Sequence, residues 1–435
     1  MFGRGLPLLS RTMLERGTIK MNTTQMPVSN RANSIAPSST LAITARVRQM
    51  KEEGRDVIGF GAGEPDFVTP DRISDAAIQA LRSGMTRYVP VPGTPQAREA
   101  VAEKLREENG IDCSAEHVVI SNGGKFSLYL AFQAIVNPGD EVLLPTPAWV
   151  SYKPMIELAG GTLVEIPTTA ETNFLATPEQ FDAAITPKTR AIVLNSPSNP
   201  CGTMYEPDAI GAICDVLARH DHVTLISDEI YERLIYGSRT HLSPGSIDFM
   251  RDRTVTINGL SKAFAATGWR VGYACAPGND GAIAKAMAKM QSQMTSSVTA
   301  FTLPALVVAL EQCQGEVAAM REVFEQRSRL MYDAVCTWPG VTCAPPMGAF
   351  YVFPDISAAF GSSTADGRHI ASAGDFAAAL LDDTGVAVVP GDDFLGCGPH
   401  HIRLSFALDE DSIATGCQRI GTWMDALVGM GESGS

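Results

Sequence analysis

A lysine and an arginine that follow one apolar run are the residues best placed to do chemistry. The run Thr254 to Ile257 leads into a segment that holds Lys262 and Arg270. Lys262 could supply the amine of a Schiff base, and the Arg270 guanidinium could grip a phosphate dianion. A phosphate-bearing aldehyde such as pyridoxal phosphate needs both groups. Taken alone, the pair could equally be a surface Lys and Arg flanking a buried strand.

A carboxylate and two hydrogen-bonding groups follow two further apolar runs. Asp228 comes directly after Val223 to Ser227, with Tyr231 close behind. A carboxylate there could keep a pyridine nitrogen protonated, so that the ring withdraws electrons from the substrate; alone, Asp228 could also be a helix N-cap. Asn199 stands in a proline-rich turn. With the Tyr231 hydroxyl it could bond a phenolate oxygen, or the turn is only structural.

Other motifs offer groups for a phosphate, a ring face and a substrate carboxylate. Gly123, Gly124 and Lys125 lie between a predicted strand and the next helix, where free amides and the helix dipole bind phosphate. Trp149 offers a flat face to a ring, or it is a core tryptophan. Arg403 stands in a predicted strand and needs an anionic partner. That partner is either a substrate α-carboxylate or a structural ion pair.

The elements that position these groups alternate between strand and helix. Such alternation predicts an α/β fold with a mostly parallel sheet between helices, and the nearly continuous apolar runs indicate strands buried on both faces. Ligands then bind outside the carboxyl ends of the strands. The predicted strands cover 118–121, 141–144, 162–166, 191–195, 223–227 and 254–257, and the predicted helices among them cover 126–136, 152–159 and 207–219.

The length of 435 residues predicts two domains. We expect a large cofactor-binding domain over 71–321 and a smaller α+β domain made of 31–70 with 322–435. Residues 1–30 are basic and poor in acids, and we expect a disordered arm or a targeting presequence there. Further predicted elements are helices over 40–51, 71–83, 99–108 and 411–430, mainly helix over 282–336, and strands over 349–353, 386–389 and 402–406.

Composition argues against nucleic-acid and membrane partners. The formal net charge of −14 repels nucleic-acid phosphates and anionic lipid. The apolar runs are shorter than the ~18 residues that would span a bilayer. The nine cysteines form no Cys-x-x-Cys pair and the histidines lack metal-ligand spacing, so we expect neither disulfides nor a metal site. A reducing compartment fits best, and the expected location is the cytoplasm, with organelle targeting left open by the basic arm.

An ordered set of motifs resembles the class I pyridoxal-phosphate aminotransferases. The similarity extends from about Ser34 to near the C-terminus and is greatest to the bacterial-type aspartate aminotransferases with Gly-Gly-Lys at the phosphate turn. The resemblance implies fold type I and a homodimer with shared active sites. The motifs are Gly61-Ala-Gly-Glu-Pro-Asp-Phe67, Tyr88, Gly123-Gly-Lys125, Trp149, Asn195-Ser-Pro-Ser-Asn-Pro200, Asp228-Glu-Ile-Tyr231, Ser261-Lys262 to Arg270, and Ile402-Arg-Leu-Ser405.

The resemblance also assigns roles to single residues. Lys262 would form the Schiff base with pyridoxal 5'-phosphate and then move the proton between the substrate Cα and C4′ of the cofactor. The ring would be held by Asp228 at its nitrogen, by Asn199 and Tyr231 at O3′, and by Trp149 on its face. Arg270, the amides around Gly123, Gly124 and Lys125, and Tyr88 of the other subunit would bind the phosphate. Gly63, Arg403, Trp149 and Asn199 would contact the substrate.

Substrate choice depends on the group that meets the distal end of the amino acid. In the branch that this chain resembles, the lysine at Lys125 binds the distal carboxylate, and Ser39 and Thr40 lie in the segment that closes over it. The implied reaction is ping-pong transfer of the amino group between L-aspartate and 2-oxoglutarate. Ala36 stands where some relatives carry a lysine, and Gly259 where many carry a phosphate-binding serine. The alternatives are a broader aromatic, alanine or prephenate aminotransferase, or a β-lyase with the same cofactor.

Overall fold

The structure is a computed structural model that describes residues 28–35, 39–396 and 399–428. The chain divides into two compact units, residues 1–36 and 37–435. The described part of the first unit holds one short helix, α1 (Asn30–Asn33), in which the Ser29 hydroxyl accepts a hydrogen bond from the Ala32 amide at 3.2 Å. Most of the predicted arm, 1–30, and Ala36 lie outside the described residues.

The second unit holds the remaining helices and all the described strands. The strands are β1 (Ile58–Gly59), β2 (Val118–Ser121), β3 (Glu141–Thr146), β4 (Thr162–Pro167), β5 (Thr189–Asn195), β6 (Thr224–Asp228), β7 (Thr254–Gly259), β8 (Gly272–Cys275), β9 (Tyr351–Val352), β10 (Val386–Ala387), β11 (Val389–Pro390) and β12 (Ile402–Ser405). The helices are α2 (Ser39–Glu52), α3 (Asp71–Arg82), α4 (Pro95–Asn109), α5 (Gly124–Ile135), α6 (Tyr152–Leu158), α7 (Pro178–Ala184), α8 (Pro207–Ala218), α9 (Asp248–Arg251), α10 (Gly278–Met294), α11 (Thr302–Gln312), α12 (Gln314–Val335), α13 (Ala373–Thr384) and α14 (Glu410–Asp425).

A seven-stranded sheet forms the centre of this unit, in the order β2-β8-β7-β6-β5-β3-β4. Strand β8 runs antiparallel to both of its neighbours, and the other pairs in the sheet are parallel. The predicted α/β fold with a mostly parallel sheet is therefore confirmed. The sequence did not predict β8, because its four residues after Arg270 are too short a run to separate from a loop.

Helices cover both faces of the sheet, as the apolar strand sequences require. In β6, Ile226 packs on one side in a cluster with Phe132 of α5. Its neighbour Leu225 packs on the opposite side with Ile213 of α8. Successive side chains of a strand point to opposite faces, so two apolar residues in a row need a helix on each side.

Helix boundaries follow local capping chemistry. Helix α4 begins at Pro95, four residues before the predicted start at Glu99, because Thr94 caps it: its hydroxyl accepts a hydrogen bond from the Ala97 amide at 3.4 Å. The helix ends at Asn109, and the next residue, Gly110, takes the left-handed conformation that glycine tolerates best. The predicted helix over 411–430 begins at Glu410 and ends at Asp425. The helical region 282–336 contains α10, α11 and α12 rather than one long helix.

Five further strands form two small sheets that are separate from the central sheet. Strands β11, β12 and β9 form an antiparallel sheet, and β1 pairs with β10 in parallel. The predicted strand over 386–389 is therefore two strands, β10 and β11, that join different sheets. Helices α12, α13 and α14 pack in one core with β9, β10 and β12. This core supports the strand that carries Arg403.

The register of the central sheet brings polar residues to one edge. Asn195 at the end of β5 pairs with Asp228 at the end of β6, and Asp228 pairs with Ile257 of β7. Because these strands are parallel, their carboxyl ends meet at the same edge, where ligands bind in open α/β sheets. Among the described residues, no helix is long and apolar enough to cross a membrane.

Candidate active site

A cavity of about 520 Å³ opens at this edge of the central sheet. Its lining comes from the segment after β1, the start of α5, the segment before α6, the ends of β5 and β6, the segment after β7, and β9 and β12. The lining residues are Ala62, Gly63, Glu64, Gly124, Lys125, Leu128, Trp149, Ser151, Tyr152, Asn195, Asn199, Asp228, Ile230, Tyr231, Ser261, Lys262, Thr267, Arg270, Tyr351 and Arg403.

Lys262 projects its amine into this cavity from the segment after β7. The amine donates a hydrogen bond to the Gly63 carbonyl and lies 5.9 Å from the centre of the Tyr231 ring. Burial lowers the pKa of Lys262 to about 8, and Arg403 and Arg270 add to this shift while the Glu64 carboxylate opposes it. A sizeable share of the amine is therefore neutral near pH 8, as a nucleophilic amine must be.

Asp228 offers a buried carboxylate to the same cavity. Its Oδ2 accepts a hydrogen bond from the Tyr152 hydroxyl at 2.7 Å, and its Oδ1 accepts one from the Ile230 amide at 3.3 Å. Burial raises the pKa of Asp228 to about 6, although both of these hydrogen bonds lower it. The group is thus largely ionised at neutral pH and can pair with a cationic ring nitrogen.

Arg403 is buried on β12, with 1% of its surface exposed. It donates from Nη1 to the Asn199 side-chain oxygen at 2.9 Å and from Nη2 to the Gly61 carbonyl at 3.0 Å. Its Nε has no hydrogen-bond partner, and it forms no ion pair, among the described residues. Burial lowers the pKa of this guanidinium, and the charge of the Asp393 carboxylate acts to raise it. The hydrogen bonds of Arg403 to described residues, however, go to an amide oxygen and a carbonyl, so an anionic ligand is its expected partner.

A hydroxyl pair lies beside this arginine. Tyr231 and Tyr351 place their hydroxyl oxygens 3.0 Å apart, and the Arg403 guanidinium carbon lies 4.5 Å from the centre of the Tyr351 ring. Burial raises the pKa of both tyrosines, so each keeps its proton at neutral pH. Because one of the two hydroxyls donates to the other, the pair has one hydroxyl hydrogen left to donate to a ligand oxygen.

The start of α5 forms an anion-binding cradle with Arg270. Gly123 has φ +89°, and a Cβ built on it would lie 2.3 Å from Arg270 Nη2, so a side chain there would displace the guanidinium. Arg270 Nη1 donates to the Thr267 carbonyl at 2.8 Å. The amides at the start of this helix and the positive end of its dipole favour a phosphate beside the guanidinium.

Lys125 and Trp149 lie together on the lining of the cavity. The Lys125 amine is 4.7 Å from the centre of the Trp149 ring. Loss of solvent lowers the pKa of Lys125, and the positive charge of Arg270 adds to the effect. Lys125 forms no ion pair among the described residues, so it is available to an anionic group of a ligand.

The structure brings together most of the residues that the sequence singled out. Ten line the cavity: Gly63, Gly124, Lys125, Trp149, Asn199, Asp228, Tyr231, Lys262, Arg270 and Arg403. Gly123 adjoins Arg270 without lining the cavity. Tyr88 does not line it and is 91% exposed. Ser39 and Thr40 begin α2, but their side chains fall outside what the structure describes.

Sequence reasoning missed several residues of the lining. Tyr152 was assigned to a helix and Tyr351 to a strand, although each gives a hydroxyl to the site. Asn195 ends a predicted strand and begins a predicted turn but was given no role in the site, yet it lines the cavity and its Oδ1 accepts a hydrogen bond from the Asn199 amide at 3.0 Å. The available signals were the position of Asn195 at a strand end and the three-residue spacing of Trp149 and Tyr152.

A separate network of charged side chains begins directly after β6 in the chain and does not line the cavity. Carboxylate oxygens of Glu229 and Glu232 and a ring nitrogen of His241 all lie within 4.8 Å of one another, a spacing that could hold a metal ion. The Lys104 amine is hydrogen-bonded to Glu232. An ammonium therefore already supplies a positive charge to these carboxylates. Burial lowers the pKa of His241, but the Glu229 and Glu232 carboxylates together outweigh this effect and the net shift is upward.

Comparisons with known proteins agree with the geometry. Residues 55–420 match the family model described as aminotransferase class I and II. The chain is 44% identical over 394 residues to an aspartate/prephenate aminotransferase of Cereibacter sphaeroides, covering 90% of this chain and 97% of that protein. It is 42% identical to an aspartate aminotransferase of Geobacillus stearothermophilus, covering 92% of this chain and 100% of that one.

A solved structure is similar in the same way. The aspartate aminotransferase from Rhizobium meliloti superposes with a TM-score of 0.88 at 40% identity, covering 93% of this chain and 100% of that chain. The family match contains all the residues that line the cavity, from Ala62 to Arg403. The chain therefore belongs to the class I and II aminotransferases, which are pyridoxal-phosphate-dependent enzymes.

Proposed function

We propose that this aminotransferase transfers the amino group between L-aspartate and 2-oxoglutarate by a ping-pong mechanism. The observation that carries the proposal is that one cavity holds Lys262 and Asp228 together with two cations, Arg403 and Lys125. Neither cation is paired with a carboxylate among the described residues. A dicarboxylic amino acid would supply an anion to each of them.

The lining fits pyridoxal 5'-phosphate at each of its functional groups. Because Gly123 has no side chain, the Arg270 guanidinium can lie against the start of α5, and a phosphate bound there would meet both the guanidinium and the helix amides. Asp228 suits the ring nitrogen, and Trp149 suits the ring face. When bound, the cofactor supplies an aldehyde that condenses with amines and a pyridinium ring that accepts electrons.

The protein side chains would then bind, orient and move protons. Arg403 would grip the α-carboxylate in a bidentate contact and so orient the Cα–H bond of the substrate. Asn199 and Tyr231 would hydrogen-bond the ring oxygen. Lys262, whose amine is partly neutral near pH 8, would take the proton from the substrate Cα and deliver it to C4′ of the cofactor.

Two features support a dicarboxylic substrate. Lys125 faces the cavity without a carboxylate partner among the described residues, and the relatives just named are aspartate or aspartate/prephenate aminotransferases. We propose Lys125 as the ligand of the distal carboxylate, with Ser39 and Thr40 from α2 closing over it. Prephenate is the second candidate, because the relative from Cereibacter sphaeroides carries that substrate in its name.

We further propose a homodimer in which Tyr88 of each subunit reaches the phosphate site of the other. Tyr88 is 91% exposed and Val68 is 86% exposed, which is unusual for large apolar side chains. A cytoplasmic location and the division into a large domain over 71–321 and a small domain over 31–70 with 322–435 also stay predictions.

A panel of half-reactions tests the substrate assignment. The holoenzyme is mixed with a single amino acid and no oxo acid, and loss of the visible absorption band of the bound cofactor is followed. Aspartate and glutamate are expected to react fastest, and 2-oxoglutarate should restore the band. Negligible reaction with aspartate alongside fast reaction with phenylalanine or alanine would refute the dicarboxylate assignment. Release of ammonia and a 2-oxo acid from cystathionine would identify a β-lyase.

A further inference from the structure

One short turn joins Trp149, the proposed ring face, to Tyr152, which contacts Asp228, the proposed partner of the ring nitrogen. Tyr152 is the first residue of α6, and its amide donates a hydrogen bond to the Trp149 carbonyl at 3.2 Å. The two rings pack edge to face, with centres 5.4 Å apart. The positions of Trp149 and Tyr152 are therefore coupled by both backbone and side-chain contacts.

The Tyr152 hydroxyl makes one hydrogen bond, to Oδ2 of Asp228 at 2.7 Å. Tyr152 is 1% exposed and Asp228 is 4% exposed. An ionised carboxylate has no proton to give, so the tyrosine is the donor. Charge-assisted bonds of this kind are stronger than bonds between neutral groups.

The chemistry of the ring nitrogen depends on how basic this carboxylate is. A proton shared between a carboxylate and a pyridine nitrogen resides on the more basic partner. A hydrogen bond donated to the carboxylate lowers its basicity, and burial raises it. At Asp228 both influences act, with Tyr152 the largest of those that lower the pKa. Without this donor the proton would move from the ring nitrogen towards Asp228.

We propose that Tyr152 is a positioning residue: by donating its hydroxyl hydrogen to Asp228 Oδ2, it aims the carboxylate at the ring nitrogen and keeps the shared proton on that nitrogen. The inference rests on the proposed role of Asp228 in binding the cofactor. It assigns to the turn from Trp149 to Tyr152 two tasks, since the same turn supplies the ring face.

The test compares Tyr152→Phe with the wild-type holoenzyme, both loaded with cofactor labelled with ¹⁵N at the ring nitrogen. In the wild type the ¹⁵N resonance is expected at the position of a protonated ring. In Tyr152→Phe it should move towards the position of neutral pyridine. The amino-acid half-reaction should slow on the order of tenfold or more, with KM changed by less than about threefold, because one hydrogen bond to a charged group is lost.

The matched control is Tyr205→Phe. Tyr205 is also buried, and its hydroxyl accepts one hydrogen bond, from the Ala176 amide at 2.9 Å. Loss of this hydroxyl should cost stability without moving the ¹⁵N resonance. If Tyr152→Phe folds poorly, replacing Tyr152 with 3-fluorotyrosine preserves the shape and strengthens the donor. As the pH is raised, the ¹⁵N resonance should then stay at the position of a protonated ring to a higher pH than in the wild type.

The outcomes separate this inference from the function on which it rests. A wild-type protein that binds no cofactor, or binds it with an unprotonated ring, refutes the proposed role of Asp228 itself. A protonated ring in the wild type that stays equally protonated in Tyr152→Phe, with an unchanged half-reaction rate, overturns the role of Tyr152 alone. Equal shifts in Tyr152→Phe and Tyr205→Phe would also overturn it.

Discussion

Arg403 donates a hydrogen bond to the side-chain oxygen of Asn199 at 2.9 Å, and both side chains are buried. The contact joins the proposed ligand of the substrate carboxylate to the proposed ligand of the ring oxygen. The Nε of Arg403 has no hydrogen-bond partner among the described residues. A substrate carboxylate that takes this position therefore meets a guanidinium that is already fixed in orientation.

Arg403→Lys should lower kcat/KM for every amino acid on the order of 100-fold, because a lysine cannot reproduce a bidentate grip. Steady-state kinetics with aspartate and alanine measure the change. Arg253→Lys is the control, since Arg253 is a structural arginine that donates to the Leu217 and His220 carbonyls away from the cavity. Retention of kcat/KM within about threefold in Arg403→Lys would rule out this contact.

The strand-end residues were predictable because each follows a recognisable apolar run. Asp228, Asn199 and Lys262 all come after such a run, and parallel strands bring their ends to one edge. Tyr152 and Tyr351 were not predictable in this way. Their hydroxyl partners, Asp228 and Tyr231, lie 76 and 120 residues away along the chain, and no local pattern records such a contact.

Short elements were missed for a related physical reason. Strand β8 has four residues, and the central sheet stabilises it by pairing on both sides rather than by its own sequence. The predicted strand over 386–389 continued through Val388, where the chain passes from β10 to β11 and from one sheet to another. Pairing partners decide such cases, and they are remote in sequence.

Lys262 should react with amine reagents at lower pH than an ordinary lysine. Burial lowers its pKa to about 8, so in the apoenzyme its labelling by trinitrobenzenesulfonate should rise through a midpoint near pH 8. Peptide mapping identifies the labelled residue, and Lys262→Met provides the blank. A midpoint near that of ordinary lysines, about 10.4, would contradict the effect of burial.

The same shift predicts how Lys262 affects stability. The unfolded chain holds a proton that the folded protein has lost between pH 8 and the ordinary lysine pKa of 10.5. The free energy of unfolding of the apoenzyme should therefore rise with pH across this window relative to that of Lys262→Met. Denaturant unfolding of both proteins at several pH values measures this difference in the free energy of unfolding. A difference that falls as the pH rises would contradict a lowered pKa for Lys262.

Glu64 should tune this amine through its charge. The Thr267 hydroxyl donates to Glu64 Oε2 at 2.6 Å, and the carboxylate raises the pKa of Lys262 against the effect of burial. Glu64→Gln keeps an acceptor for Thr267 but removes the charge, so the labelling midpoint of Lys262 should move to lower pH. Thr267→Val removes the hydrogen bond and keeps the charge. A larger change in Thr267→Val than in Glu64→Gln would indicate a structural role instead.

Lys125 should distinguish dicarboxylic from other substrates. Lys125→Met keeps the length of the side chain and removes its charge, so KM for aspartate should rise about 10-fold to 100-fold, while KM for alanine changes less than about threefold. Lys153→Met is the control, because Lys153 lies on α6 near Glu157 at 4.0 Å and outside the cavity. Equal effects on aspartate and alanine would place Lys125 at the cofactor rather than at the distal carboxylate.

The buried ion pair of Lys104 and Glu232 should contribute strongly to stability. Their side chains are 3% and 8% exposed, and Asn109 Nδ2 donates to Glu232 Oε2 at 2.6 Å. Lys104→Met would leave buried carboxylates without their cation and should lower the free energy of unfolding by about 3–5 kcal/mol. The double variant Lys104→Met with Glu232→Gln should recover much of this loss, because the uncompensated charge is gone.

The pH dependence of this pair gives an independent check. Burial would raise the pKa of Glu232, but the charges of Lys104 and His241 and the hydrogen bonds from Lys104 and Asn109 together outweigh burial and lower the pKa to about 2. A depressed carboxylate pKa stabilises the fold above its unfolded value of 4.5, and this contribution is lost as the pH falls through about 2. The difference between the wild type and Lys104→Met in guanidinium unfolding should therefore shrink on acidification below pH 4.5. A difference that stays constant with pH would assign the loss to packing of the lysine stem instead of its charge.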